Sequence, residues 1–144
     1  SEMLLYMTAR AQLVAEIIQP AMELGQVILS DRFLLSNVVY QGHAGGLDPA
    51  EIWETGLVAT GGVLPDLSIV LNMDLPEAMA RLGEEKDRME SRGEEFFGRV
   101  QAGFLHEAER DPESVQVVDA AGSQQEVQQR VQEIVQQQLQ ASTM

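Results

Sequence analysis

The sequence contains no cysteine, which excludes disulfides and thiolate metal sites and suits a cytoplasmic protein. It has no run of 18 or more apolar residues, so no transmembrane helix is expected. Positive charge is scarce: 9 Lys+Arg face 23 Asp+Glu, for a net charge of −14. A surface of that sign repels phosphate backbones and anionic headgroups, so neither nucleic acid nor a membrane is an expected partner. His43 and His106 are far apart in the sequence with no obvious metal-binding companions, and the carboxylates between 74 and 95 show no metal-ligand spacing. No G-x-S-x-G occurs, and no G-x-x-x-x-G-K-[ST]; the glycine-rich stretches at 42–46 and 61–62 have no lysine and are loops. The opening "SEMLLYMTARAQLV" lacks the basic start and cleavage site of a signal peptide and resembles the middle of a domain.

What is present suits one domain over 1–144: the chain is long enough for one core and 44% hydrophobic. Apolar residues recur at helical spacing over 3–24, with Pro20 ending or kinking the helix and Gly25 closing it. "QVILS" (26–30) has the β-branched, apolar character of a buried parallel strand, and a helix follows to about Gln41. Asp48, Pro49 and Glu51 form a helix-start signature. "LPDLSIVLNMD" supplies a second strand, 76–83 a short helix, 94–109 a longer one and "SVQVVDA" (114–120) a third strand. Ser123 and Glu126 cap a last helix with Val127, Val131, Ile134, Val135 and Leu139 on one stripe, its glutamines on the wet face. Strands alternating with helices define an α/β fold, a three-layer parallel sheet with helices on both faces. Three strands are few for so much helix.

The cations are unevenly placed. Before residue 81 only Arg10 and Arg32 are basic; Arg81, Lys86, Arg88, Arg92 and Arg99 then crowd together. Such a cluster either handles a small anion or pairs with Glu84, Glu85, Glu90, Glu94 and Glu95 on a solvated helix face.

Asp31 and Arg32 sit at the carboxyl end of the first expected strand, where parallel sheets bind ligands. If 34–41 is helical, Ser36 and Tyr40 are one turn apart, as are Asn37 and Gln41, so the four share a face. Amides read a base edge and a guanidinium grips phosphate. The same spacing also fits Asp31 as a helix cap, Arg32 as its surface partner and Tyr40 as a packing residue. Tyr6 and Arg10 lie at i and i+4, where ring and guanidinium could hold a flat heterocycle, or where Tyr6 could pack in the core beside a solvated Arg10.

Five stretches in order resemble the thymidylate kinase family, P-loop enzymes that transfer phosphate from ATP to dTMP. They are "LLYMTARAQLV", "LSDRFLLSNVVYQG", "LPDLSIVLNMDLPEAMAR", "EEKDRMESRGEEFFGRVQAGF" and "VQVVDAAGSQQEV". The resemblance implies that Tyr6 stacks on the thymine and Arg10 bonds the base. It places Asn37 on the thymine edge and Tyr40 near the deoxyribose, with Ser36 and Gln41 completing the pocket. Arg32 would hold the dTMP phosphate, and Asp31 would lie near the phosphates and Mg²⁺. Arg81, Lys86, Arg88 and Arg92 would belong to a lid at about 81–95 closing over the ATP phosphates, with Arg88 as a catalytic cation. Phe33 stands where tyrosine is usual. A homodimer formed through helices is implied as well. Phosphoryl transfer needs positioning and charge neutralisation rather than a covalent nucleophile, which agrees with the lack of a triad.

The family's opening strand, P-loop, first helix and second strand have no counterpart in these 144 residues. The chain therefore reads as the C-terminal part of such a kinase, holding the dTMP pocket and lid and inactive by itself. A non-catalytic nucleotide-binding module and a monophosphate kinase of other base preference are the alternative readings.

Overall fold

A computed structural model describes residues 2–81 and 93–141, and the chain divides into two units, Ser1–Leu64 and Pro65–Met144. The expected lid cations Lys86, Arg88 and Arg92 lie outside the described residues.

In the first unit one helical run fills 2–23, and Pro20 shapes its middle. Helix α1 (Glu2–Leu13) passes into a π-helical turn (Val14–Ile18) and then into α2 (Gln19–Glu23). Proline has no N–H for the carbonyl four residues back, and its ring crowds that carbonyl. The chain widens instead of breaking: the Gln19 amide donates to the Val14 carbonyl, five residues back. The second helix, α3 (Leu34–Asn37), also widens, into a π-helical stretch (Val38–His43) that carries the helix two residues past Gln41. Gly45 follows where the chain folds back, since a Cβ there would lie 2.6 Å from the Gln41 carbonyl oxygen. Helix α4 (Pro49–Ala59) starts at Asp48, whose Oδ1 accepts from the Ala50 amide.

Met7, Val14, Ile18, Phe33, Leu34, Val38 and Ile52 form the core of this unit, with Trp53 and Val63 packed against it. Gly56 lets α4 approach α3 closely: an added Cβ would meet the Leu34 Cδ1 at 2.1 Å.

Residues 26–30 are extended but form no strand, contrary to the sequence expectation. An extended segment becomes a strand only when a neighbour takes up its backbone groups, and no described segment does so for 27–30. Val27 and Leu29 are 86% and 98% exposed. The expected three-stranded sheet is thus two-stranded among the described residues.

The second unit holds that sheet. β1 (Ser68–Asn72) and β2 (Val115–Asp119) pair in parallel, with Ser68 opposite Val115 and Asn72 opposite Asp119. Between them run α5 (Leu75–Arg81) and α6 (Glu94–Arg110), and α7 (Gln124–Ala141) follows β2. Parallel strands need a crossover of a dozen residues or more, which the helices between the strands supply. Phe96, Val100 and Ala108 of α6 are buried, as are Val115 and Val118 of β2. The expected stripe on α7 is half-buried at Val127, Val131, Ile134 and Val135, while Leu139 is 52% exposed.

Helix α7 opens on the expected capping box. The Ser123 amide and hydroxyl both donate to Glu126 Oε2, and the Glu126 amide donates back to Ser123 Oγ at 3.3 Å. The Ser123 amide, then its hydroxyl, hold the Glu126 carboxyl below its ordinary pKa of 4.5; desolvation opposes them and Arg130 assists. A depressed pKa means stabilisation that is fully present above the unfolded-state value and lost as pH falls through the folded one. The start of α7 should therefore loosen below about pH 4.5. Carboxyl titration followed by NMR should put the Glu126 midpoint below that of a model glutamate, and a midpoint at or above it would refute the assignment.

Candidate functional site

The stretch from Ser30 to Gln41 gathers most of the side chains singled out from the sequence, and its geometry starts with one residue. Arg32 has φ +69°, and among the described residues no other non-glycine residue has positive φ. A non-glycine residue in that region costs of order 1–3 kcal/mol and persists only where the surroundings enforce it. Here two side chains donate to the Arg32 carbonyl: Arg10 Nη1 at 3.1 Å and Ser30 Oγ at 3.0 Å. Each bond contributes about 0.5–1.5 kcal/mol, so together they match the strain.

The strained turn sets the direction of the Arg32 side chain. Its guanidinium lies 5.3 Å from the centroid of the Tyr40 ring, on the next helical stretch. It makes no hydrogen bond or ion pair among the described residues, which leaves a planar fork of N–H donors able to take a doubly bonded oxyanion. Asp31 is exposed and does not cap α3; the N-cap position is Phe33, without a side-chain cap. The reading of Asp31 as a cap with Arg32 as its partner does not hold.

Beside this turn runs a chain of side-chain hydrogen bonds. Arg10 Nε donates to Asn37 Oδ1 at 3.4 Å, Asn37 Nδ2 to Gln41 Oε1 at 3.2 Å, and Gln41 Nε2 to Glu2 Oε1 at 3.4 Å. Asn37 and Gln41 are both buried, and buried amides are held in one orientation by the bonds they make. The bond at i and i+4 is the shared face expected from the sequence. Partial burial lowers the pKa of Arg10, against the neighbouring Tyr6, which raises it. Its guanidinium also lies 5.5 Å from the Phe33 ring centroid, so Phe33 serves as a packing surface for the cation. Tyr6 is 39% exposed, and Ser36 and Tyr40 are half-buried. The unit thus brings together Tyr6, Arg10, Arg32, Asn37, Tyr40 and Gln41: a ring, two amides, a phenol and two guanidinium groups.

The second unit has a different character. At the carboxyl ends of β1 and β2 lies an open hollow of about 430 Å³, lined by Asn72, Asp74, Glu77, Gln101 and Asp119 among others. Gln101 Nε2 ties α6 to the end of β1, donating to Asn72 Oδ1 at 2.8 Å and the Met73 carbonyl at 2.7 Å. Its acidic lining suits hydrogen-bond donors better than phosphate oxygens. Arg81, expected among the lid cations, pairs with Glu77 at 2.7 Å and reaches the carbonyls of Ala120 and Gly122 at 3.4 Å. Arg130 donates to the carbonyls of Asp119 and Ala121 at 2.7 and 2.8 Å. Two arginines therefore hold four consecutive carbonyls of the loop after β2. Arg99 pairs with Glu95 at 2.7 Å, the solvated-face pairing anticipated for the cation cluster. Gln101, Asp119 and Arg130 were not singled out from the sequence: each is a common residue on a helix or at a strand end, marked by no spacing of its own.

Known proteins resemble this chain over most of its length. The sequence model of the thymidylate kinase family matches residues 1–131. A thymidylate kinase from Desulforudis audaxviator is 41% identical over 121 residues, covering 83% of this chain and 55% of the relative. One from Symbiobacterium thermophilum is 42% identical over 136 residues, covering 94% and 64%. The crystal structure of thymidylate kinase from Ehrlichia chaffeensis superposes with a TM-score of 0.74 at 25% identity, again over 94% of this chain and 64% of the other. The chain spans between about half and two thirds of the length of these relatives. With an α/β fold around a parallel sheet and a family match over nearly its whole length, this chain belongs to the thymidylate kinase family.

Proposed function

We propose that this chain serves the ATP-dependent phosphorylation of dTMP to dTDP by holding the acceptor nucleotide, with its two units as parts of one kinase-type domain. One observation carries the reading: the exposed Arg32 fork, set by a strained turn, lies on the Tyr40 ring one helical stretch from the Asn37 amide. Phosphate, sugar and base of a mononucleotide lie in that order, and the three groups match them. Arg32 would grip the acceptor phosphate, Tyr40 would press on the deoxyribose, and Asn37 with Arg10 would read the thymine edge while Tyr6 stacks on it. Ser36 and Gln41 complete the pocket. Asp31, an exposed carboxylate in the same turn, suits Mg²⁺, which commonly takes one or two carboxylates and fills its remaining positions with phosphates and water. Asp31 would help to hold the ion, which when bound would supply positive charge to offset that of the phosphates.

Lys86, Arg88 and Arg92 are proposed to close over the ATP phosphates, Arg88 as the catalytic cation, and Arg81 to anchor the start of that segment. The sequence holds no G-x-x-x-x-G-K-[ST] loop, so the cradle for the donor phosphates is proposed to come from outside these 144 residues. A cytoplasmic homodimer belongs to the same reading, supported by Leu4, Leu5 and Ile17 exposed on the first helical run.

Assay of the full-length protein with ATP and a panel of nucleoside monophosphates tests the reading. dTMP should be turned over with the highest kcat/KM. Good turnover of another monophosphate with none of dTMP would overturn the substrate assignment, and no turnover of any would favour a binding module. Sedimentation of the same sample should give a dimer; a monomer at micromolar concentration would refute that part.

A further inference from the structure

We infer that Ser30 is a positioning residue that fixes the aim of the Arg32 guanidinium through the Arg32 backbone. The inference rests on the acceptor-phosphate role proposed for Arg32 and adds a residue to which no role has been given. Ser30 is exposed, and among the described residues its hydroxyl makes one hydrogen bond, 3.0 Å to the Arg32 carbonyl. That carbonyl belongs to the residue with φ +69° and also accepts from Arg10 Nη1. Donors from two separate segments thus converge on one oxygen. Arg10 cannot be probed cleanly, because it also holds Asn37 and stacks on Phe33. Ser30, among the described residues, makes its hydrogen bond to this turn alone.

The mechanism is mechanical. A non-glycine residue in the left-handed region is strained relative to extended conformations, and a flip of its φ would swing the side chain away from the Tyr40 ring. Held in place, the fork meets the phosphate already oriented; released, it must be reordered on binding, which weakens affinity without changing any contact in the bound state. Ser30 should therefore affect capture of the acceptor and leave the donor nucleotide untouched.

The test uses the full-length protein with whichever monophosphate it binds best. Ser30→Ala should raise KM and Kd for that acceptor about 3- to 10-fold, the loss of one neutral hydrogen bond. KM for ATP and the thermal midpoint should stay near wild type, and Ser30→Thr, which keeps the hydroxyl, should restore acceptor affinity. In an Arg32→Ala background, Ser30→Ala should have no further effect on acceptor affinity, because the side chain that it aims is gone. Additive losses in that double variant, or equal losses for both substrates, would overturn the inference. A crystal structure of Ser30→Ala provides a readout that does not depend on activity. Arg32 should leave the left-handed region or show two conformers there. An unchanged, singly occupied Arg32 would overturn the positioning role even if the protein phosphorylates dTMP. If the protein phosphorylates nothing, a shifted Arg32 would still support the role while the proposed function fails.

Discussion

Replacing Arg32 by alanine is expected to lower kcat/KM for dTMP in the full-length protein about 100- to 1,000-fold, with KM for ATP nearly unchanged. Truncating one member of a desolvated, hydrogen-bonded charge pair typically costs about 2–5 kcal/mol, and each 1.4 kcal/mol is tenfold. The loss should fall on activity and not on stability: residue 32 is exposed, and its guanidinium makes no hydrogen bond or ion pair among the described residues. Arg32→Lys should recover little, since an ammonium is a point charge and cannot reproduce the planar two-donor fork. Steady-state kinetics with both substrates varied, together with a thermal melt of each variant, separate the outcomes. Near-normal kinetics for Arg32→Ala would remove the residue from the acceptor site.

The second large effect is structural. Gly56→Val should destabilise the first unit by about 3 kcal/mol, because a Cβ there would lie 2.1 Å from Leu34 Cδ1 and 2.6 Å from its Cδ2. Leu34 is fully buried, so its side chain can yield only by displacing packed neighbours. Leu34→Ala alone should cost about 2–5 kcal/mol by opening a cavity. Combined, the two changes should cost well under their sum, since the valine fills the space that the leucine leaves. Urea unfolding of the two single variants and the double variant measures the coupling. Strict additivity would show that Gly56 and Leu34 do not share that space.

Local patterns in the sequence located much of this. The capping box at Ser123 and Glu126 and the cap at Asp48 depend on neighbours within a few residues, so the sequence shows them directly; the strands at 68–72 and 115–119 showed in their apolar, β-branched composition, although their pairing with each other is long-range. The link between Asn37 and Gln41 was equally visible, being a matter of helical spacing. Residues 26–30 illustrate the opposite case. Their composition is that of a buried strand, yet a strand exists only with a partner to bond, and the described residues supply none. The widened turns at 14–18 and 38–43 were invisible as well: Pro20 signalled a disturbance, but a kink, a stop and a π turn all answer it.

By itself the sequence determined the family likeness, the order of the elements and which residue types could meet a nucleotide, because these follow from motif order and short-range spacing. Only the tertiary structure decided how those residues act together. It tied Arg10, across 22 residues of chain, to the carbonyl that Ser30 holds locally, and so set Arg32 in a left-handed conformation that its own residue type disfavours. It also turned Arg81 towards the loop after β2, 39 residues away, rather than leaving it free. Contacts over such separations arise only once a core has fixed the helices that carry them, and no window of sequence contains both partners.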